Sequence, residues 1–285
     1  MTDKSNPLID SNKKPDLKQL IKEEYAKCAA DPIYFIKTYC IIQHPKRGKI
    51  RFALYDFQGN ILSAFLIYNR IIILKNRQMG LSTLSAAYAL WLMTFYDDKF
   101  VYVMATKQGV AKNIITKIRI MHQFLPSWLK RKCTEDNKLG QKYDNGSTVV
   151  AGTSAADAGR SEAVSLLILD EAAFIAGSDE LWGALQPTLS TGGNVIVLST
   201  PNGVGNWFHE TFIKAEEGKN NFYPIVLHWT LHPEYTQVWR DAQDIELGPR
   251  LARQECLSGD TIITVKDIET GLLEKISIKE LYNKL

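Results

Sequence analysis

The sequence predicts an α/β fold in which a mostly parallel β-sheet carries helices on both faces. The first observation is that short apolar runs, such as residues 71–74, 100–105 and 194–199, alternate with longer segments of helical periodicity. Strands covered on both faces are apolar throughout, and parallel strands need a crossover between them, usually a helix. The second observation is that two such runs end in polar segments, NRQMGLST at 76–83 and DE at 170–171. Ligands of these sheets bind at the carboxyl ends of the strands, so a site is expected there.

Before residue 70, helical patterns surround one short strand. Residues 1–17 are polar and have the composition of a solvated arm. Leu17, Leu20, Ile21 and Tyr25 recur at helical spacing, and the Asp31-Pro32 step starts a second helix. We expect helices at 17–30, 33–39 and 58–68 and a strand at 50–54.

From residue 70 onward, the two patterns alternate regularly. We expect strands at 71–74, 100–105, 147–151, 164–169, 194–199 and 222–229, and helices at 82–96, 108–124, 180–188 and within 234–255. Pro126 closes the second of these helices, and an Asn145-Gly146 turn precedes the strand at 147. Residues 130–145 are charged and are expected to be a loop with some short strand.

Composition and charge narrow the class of protein. The chain has 285 residues, which allows one large domain or two modest ones, and its net charge of +3 does not by itself indicate nucleic acid. Four cysteines (28, 40, 133 and 256) are far apart and predict free thiols rather than disulfides or a zinc site. The polar start and the absence of a long apolar run predict a cytoplasmic protein without a membrane span.

The loop after the first central strand has the size and position of a phosphate loop. The usual pattern is G-x-x-x-x-G-K-[ST], in which backbone N–H groups and a lysine bind phosphates and the hydroxyl binds Mg²⁺. Aligned on Gly80, this chain keeps Ser82 and Thr83 but has Leu81 at the lysine position and Lys75 at the first glycine. The phosphate cation must then come from Lys75 or Arg77. The alternative is an ordinary strand-turn-helix connection.

The acidic pair supports the first interpretation. Asp170 and Glu171 follow four apolar residues, so they are expected at the tip of a central strand. Asp170 could hold Mg²⁺ and Glu171 could activate water, although the pair could also cap the following helix. A third segment, Ser199-Thr200-Pro201-Asn202, ends another strand, and its hydroxyls could sense the γ-phosphate.

Together these motifs resemble the ATPase domain of the large terminase subunit of tailed bacteriophages, the T4-type branch most of all. The resemblance runs from about residue 35 to 255. It is carried by LYDFQ (54–58), NRQMGLST (76–83), LLILDEAAFI (166–175), ALQPTLSTGG (184–193) and VLSTPNG (197–203). It implies a RecA/ASCE-like P-loop NTPase that uses ATP and Mg²⁺ to move double-stranded DNA into a procapsid. It also implies a ring homo-oligomer, a procapsid portal and a small terminase subunit as partners, and the cytoplasm of an infected host as the location.

The resemblance also implies roles for individual residues. Gln58 would read adenine, with Tyr55 and Phe57 shaping the pocket. Asp170 and Ser82 would bind the metal, Glu171 would be the catalytic glutamate, and Lys75 would replace the missing lysine. Arg77 would be an arginine finger and part of the phosphate loop, and Arg160 is a weaker finger candidate. The remaining loop residues would be Gln78, Gly80 and Thr83, and the coupling motif would be Ser199, Thr200 and Asn202.

The pattern changes at Cys256. The last residues predict a strand at 261–265, a turn at 269–271, a strand at 273–276 and a helix at 278–285, too few to bury a core alone. The segment CLSGDT looks like the opening block of an intein, in which the cysteine attacks the preceding carbonyl, here that of Glu255. The later intein blocks and the terminase nuclease domain are missing. A split intein, completed by a second polypeptide that carries the nuclease half, is therefore expected; a truncated intein and an ordinary hairpin are the alternatives.

These interpretations give four segments: an arm and helical lead-in (1–50), the ATPase domain (51–233), its helical end (234–255) and the intein fragment (256–285). Two other functions are the alternatives. A helicase-like translocase would need a second domain, for which the chain has no room before Cys256. A non-hydrolysing nucleotide-binding scaffold is favoured only by Leu81. The basic segments KRGK (46–49) and KRK (130–132) could contact DNA phosphates or be solvated faces.

Overall fold

The computed structural model describes residues 16–152, 163–190, 192–255, 262–266 and 273–277. Its helices are α1 (Leu17–Ala30), α2 (Pro32–Tyr39), α3 (Asp56–Ile67), α4 (Leu81–Phe95), α5 (Gln108–Gln123), α6 (Ser178–Leu185), α7 (Trp207–Glu216) and α8 (Gln237–Glu255). Three short 3₁₀ helices lie at Ala172–Phe174, Gln186–Leu189 and Trp229–Leu231.

The strands form one large sheet and two small hairpins. The strands are β1 (Ile41–His44), β2 (Gly48–Arg51), β3 (Arg70–Lys75), β4 (Phe100–Ala105), β5 (Cys133–Asn137), β6 (Gly140–Tyr143), β7 (Thr148–Gly152), β8 (Leu166–Asp170), β9 (Asn194–Ser199), β10 (Tyr223–Leu227), β11 (Ile262–Lys266) and β12 (Leu273–Ser277). The large sheet has the order β10-β3-β9-β8-β4-β7-β6-β5, while β1 pairs with β2 and β11 with β12.

The six strands from β10 to β7 are parallel, and β6 and β5 run antiparallel to their neighbours. The carboxyl ends of β3, β9 and β8 therefore lie side by side at one edge. Lys75, Ser199 and Asp170 end these three strands. The topology thus brings together residues that are far apart in the sequence.

Each central strand contributes side chains to two cores. Ile71 and Ile73 of β3 pack with the helices of the first half of the chain, whereas Ile72 packs on the other face with residues of α6 and α7. The same alternation is seen in β8, where Leu166 and Leu167 belong to opposite cores. Alternation follows from the two-residue period of a strand, so a sheet covered on both faces needs continuous apolar runs. The predicted α/β fold with a mostly parallel sheet is confirmed.

Several element boundaries differ from the sequence-based expectation. The strand expected at 50–54 is β2, which begins at Gly48 and ends at Arg51, and its partner β1 was not predicted. The segment 130–145 contains the antiparallel hairpin of β5 and β6. Helix α7 was missed, and α8 contains a break at Gly248, whose φ is 76°.

The strands that follow Cys256 form a hairpin of their own. β11 and β12 form an antiparallel hairpin in which Ile262 pairs with Ser277, so both strands predicted after Cys256 are present. The helix expected at 278–285 lies outside the described residues. Among the helices that the structure describes, none combines the length and the hydrophobicity of a membrane span.

Candidate nucleotide site

The loop between β3 and α4 is shaped by left-handed backbone conformations. Gln78 has φ 60° and Gly80, which caps α4, has φ 73°. A Cβ at Gly80 would lie 2.8 Å from the Gln58 side-chain nitrogen, so a larger residue would meet both strain and a clash. The loop ends at the N-terminus of a 15-residue helix, whose first N–H groups favour an anion.

Lys75 lies at the end of β3 and points to the acidic strand. Its Nζ donates to Glu171 Oε1 at 2.6 Å, and the residue is only 5% exposed. The cation that sequence analysis placed at the start of the loop is therefore next to the predicted catalytic carboxylate. A lysine ammonium has three donors, so it can bind Glu171 and a phosphate oxygen together.

Asp170 ends β8 and is 3% exposed. Its Oδ2 accepts a hydrogen bond from Ser82 Oγ at 2.7 Å, while Oδ1 is buried and has no partner among the described residues. Burial raises the pKa of Asp170, against the opposing effects of Lys75 and Ser82. A buried carboxylate oxygen without a partner is costly, and a divalent cation would satisfy it. The pair of Ser82 and Asp170 therefore fits Mg²⁺.

Glu171 is held from two sides. Its backbone is left-handed, with φ 53°, and its Oε2 accepts hydrogen bonds from Thr200 N at 3.1 Å and Thr200 Oγ1 at 3.2 Å. Burial alone would raise the pKa of Glu171, but the Lys75 ammonium and the Thr200 hydrogen bonds outweigh it and hold the pKa below its usual range. The carboxylate is therefore charged and fixed in direction.

The segment after β9 is bonded to the segment after Glu171. Ser199 Oγ accepts from Ala173 N at 3.1 Å, and Asn202 Nδ2 donates to Ala173 O at 2.9 Å. Together with the Thr200 contacts, these bonds connect the segment that begins at Glu171 to the predicted coupling motif. Residues 171–173 and 199–202 are therefore directly connected by hydrogen bonds.

Gln58 is hydrogen-bonded to the loop between β3 and α4. It is 2% exposed, its Oε1 accepts from Tyr55 N at 3.1 Å, and its Nε2 donates to Met79 O at 3.0 Å. The predicted adenine-reading residue is thus also bonded to the phosphate loop. Tyr55 and Phe57 stack with ring centres 5.8 Å apart beside it.

Sequence analysis missed the aromatic segment that follows β10. His232 contacts Tyr55 at 4.6 Å and stacks on Tyr235 at 4.0 Å, and Tyr235 stacks on Trp239 of α8 at 3.9 Å. Tyr235 Oη also lies 3.5 Å from the carbonyl oxygen of Gln78. The aromatic content of HPEYTQVW was the only sequence signal, and nothing in it indicated the contact with the loop.

The other predicted residues have diverse surroundings. Arg77 and Gln78 are exposed, Thr83 is half-buried, and Leu81 is 2% exposed and packed in the core. Arg160 and Cys256 lie outside the described residues.

A strand, a phosphate-sized loop, a helix and a paired acid on a nearby strand are the arrangement expected of a P-loop NTPase. A family model for the T4likevirus-type large terminase subunit, N-terminal region, matches residues 72–269. The chain belongs to this terminase family. The match extends past Cys256, so it does not itself mark a boundary there.

Solved structures of large terminases have the same fold. The ATPase domain from Thermus phage P74-26 is 22% identical, with a TM-score of 0.55 over 66% of this chain and 87% of that domain. The bacteriophage HK97 large terminase is 18% identical, with a TM-score of 0.59 over 81% of this chain and 49% of its own length. The large terminase of a thermophilic bacteriophage, in complex with ADP, is 12% identical, with a TM-score of 0.59 over 74% of this chain and 55% of its own length. This chain therefore spans about half of those last two large terminases.

Proposed function

We propose that this chain is the ATP-hydrolysing half of a viral motor that packages double-stranded DNA. One observation carries the proposal: Lys75 and Thr200 hold the Glu171 carboxylate from two sides, beside the hydrogen-bonded pair of Ser82 and the buried Asp170. Family membership supports it, as do the complexes of the thermophilic bacteriophage's large terminase with ADP and with ATP-gamma-S.

The roles follow from chemistry. Mg²⁺ held by Ser82 and Asp170 would neutralise charge on the phosphates. Glu171 would orient a water and take its proton as the water oxygen bonds to the γ-phosphorus and the bond to the β-γ bridging oxygen breaks. Lys75 would bind the phosphate oxygens from the near side of the loop, and Arg77 is the candidate arginine finger.

The wider assembly is part of the same proposal. The partners would be duplex DNA, the procapsid portal, the small terminase subunit and further copies of this chain in a ring, in the host cytoplasm. The division into 1–50, 51–233, 234–255 and 256–285 is proposed with it. These statements draw on the family, since the site itself accounts only for nucleotide chemistry.

The test is ATP turnover by Glu171→Gln. We expect turnover to fall by about 10²–10⁴-fold, the usual contribution of a general base, with ATP affinity retained. Glu180→Gln is the matched control, because Glu180 is an exposed glutamate at the start of α6. Full turnover in Glu171→Gln would remove its catalytic role. ATP binding by the unsubstituted chain without phosphate release would instead favour the nucleotide-binding scaffold, the alternative suggested by Leu81.

The second part of the proposal concerns Cys256. Its thiol would attack the Glu255 carbonyl, so that the amide becomes a thioester and the Cys256 nitrogen becomes an amine that takes up a proton. Joining to a second polypeptide would then attach the nuclease half. The β11–β12 hairpin after this position supports an intein fragment.

Ligation with the complementary intein fragment tests this step. Cys256→Ala should abolish the ligated product, whereas Cys133→Ala, which changes another free cysteine, should not. Continued ligation by Cys256→Ala would remove the cysteine as nucleophile.

A further inference from the structure

The hairpin formed by β1 and β2 is strongly basic. Residues 41–51 contain Lys46, Arg47, Lys49 and Arg51 and no acidic residue. All four basic side chains are exposed. The hairpin therefore presents four positive charges on the surface.

The backbone hydrogen bonds of the hairpin fix its turn and the face on which these charges lie. His44 Nδ1 accepts hydrogen bonds from the backbone N–H groups of Lys46 and Arg47, both at 3.1 Å, which fixes the turn. Lys49 and Arg51 are two residues apart on β2, so they share a face of the hairpin. Pairing of β2 with β1 from Ile41–Arg51 to His44–Gly48 holds that face in register.

Helix α5 extends the positive region. It packs against β1, and the Lys49 ammonium lies 4.4 Å from the centre of the Phe124 ring just after the helix. Its 16 residues include Lys112, Lys117 and Arg119 and no acidic residue, although Arg119 is paired with Asp136 at 2.8 Å. The hairpin and α5 together carry seven basic residues, while the whole chain has a net charge of only +3, so the rest of the chain has a net charge of −4.

The four cations of the hairpin have no ion-pair partner among the described residues. Within the part of the chain that the structure describes, no carboxylate oxygen lies within 4.0 Å of the four hairpin cations. Clustered like charges repel one another, and an anionic ligand would relieve that repulsion. The phosphates of duplex DNA supply such a repeated negative charge.

We infer that the β1–β2 hairpin, extended by α5, contacts the phosphate backbone of duplex DNA. The identity of the polyanion rests on the proposed function, while the surface itself rests on the charges and contacts above. Such contacts position DNA without reading its sequence, as a translocating motor requires. At the base of the hairpin Phe52 N donates to Cys40 O at 2.9 Å, and the chain then enters Tyr55 and α3.

The experiment measures binding of a short fluorescent DNA duplex by anisotropy over a range of salt concentrations. Lys49→Gln/Arg51→Gln removes two charges from one face of β2. Each lost phosphate contact should reduce the slope of log affinity against log salt by about 1, so we expect a decrease of about 2 and roughly fiftyfold weaker binding at about 0.1 M salt. Lys214→Gln/Lys219→Gln removes the same charge from the α7 region, on the opposite face of the sheet, and should leave both values unchanged.

Other outcomes would overturn the inference. These are absence of duplex binding by the unsubstituted chain at low salt, equal weakening by the two double variants, or unchanged binding by Lys49→Gln/Arg51→Gln. Displacement of the duplex by polyglutamate at the same total charge would point to an acidic protein as the ligand. ATP turnover is measured on the same samples: its absence, with the expected binding change, would contradict the ATPase proposal and leave the DNA surface in place.

Discussion

At the scale of single residues, Lys75 and Glu171 form a close ion pair in the candidate site. The two side chains are 2.6 Å apart, with Lys75 buried and Glu171 about three-tenths exposed. Removing one partner from a buried pair leaves an uncompensated charge, which is far more costly than the pair itself is stabilising. In the proposed mechanism, Lys75 would therefore have two roles: it would bind phosphate, and it would keep Glu171 in its charged form.

The variant Lys75→Met tests both roles and distinguishes them from the role proposed for Arg77. Loss of the ammonium should weaken ATP binding by roughly 10–100-fold, the effect of one charged hydrogen bond. Burial would then act on Glu171 with less opposition, so its pKa would rise and the carboxylate would take up a proton at higher pH. The acid limb of kcat/KM should therefore move to higher pH.

The matched substitution is Arg77→Met on the exposed part of the loop. As a candidate finger, Arg77 should affect kcat more than ATP affinity, and the acid limb should stay in place. An acid limb that stays fixed in Lys75→Met would show that Lys75 does not control the ionisation of Glu171. Equal loss of ATP affinity in both variants would contradict the assignment of the phosphate cation to Lys75.

At the scale of elements, α4 explains why the loop has a leucine in place of lysine. Leu81 is the first residue of the helix, is 2% exposed and belongs to the same core as Leu84. The helix begins with this side chain turned inward. Lysine at this position would have to leave the core or bury its charge.

Leu81→Lys should therefore lower the free energy of unfolding, by roughly 2–5 kcal/mol, as expected for the loss of a buried leucine together with the burial of a charge. Leu81→Met, which conserves volume, should cost less than about 1.5 kcal/mol. Urea denaturation followed by circular dichroism measures both. Normal stability of Leu81→Lys with increased ATP turnover would show instead that the native loop is an impaired phosphate loop.

Prediction from sequence succeeded where local pattern determines the element. β4 and β9 were predicted with their observed boundaries because their residues are almost all apolar. The β5–β6 hairpin has four charged residues among the eleven from Cys133 to Tyr143 and lies at the edge of the sheet, so its pattern resembled a loop. Helix α7 could have been found from Asn206, whose side chain accepts from His209 N as a helix cap.

For the candidate site too, prediction succeeded for local patterns and failed for contacts between distant segments. The residues of each motif were identified because polar side chains follow apolar strands. The orientation of Lys75 toward Glu171, and the contact of Tyr235 with the loop, depend on strand order and on packing between segments far apart in the chain. Local sequence carries no information on such contacts.

At the scale of the whole molecule, the candidate nucleotide site and the basic hairpin lie in different places on the domain. The nucleotide residues lie at one edge of the sheet, and the basic hairpin lies over the core formed by the first half of the chain. The aromatic stack from Tyr55 to Trp239 connects the site to α8, the last helix before the proposed junction. In the proposed function, nucleotide, DNA and the rest of the motor would thus contact different parts of the domain.

The proposed junction at Glu255 can be tested by shortening the chain. In the described residues β11 pairs only with β12 and neither joins the main sheet, so a chain that ends at Glu255 should keep its ATP affinity and a melting temperature within about 2 °C. A chain that ends at Thr236 is the control: it loses α8, including the fully buried Ala252 and the Trp239 ring stacked on Tyr235, and should melt several degrees lower. Differential scanning calorimetry measures both. A large decrease for the chain that ends at Glu255 would place residues after Cys256 in the ATPase domain, in line with a family match that extends to residue 269.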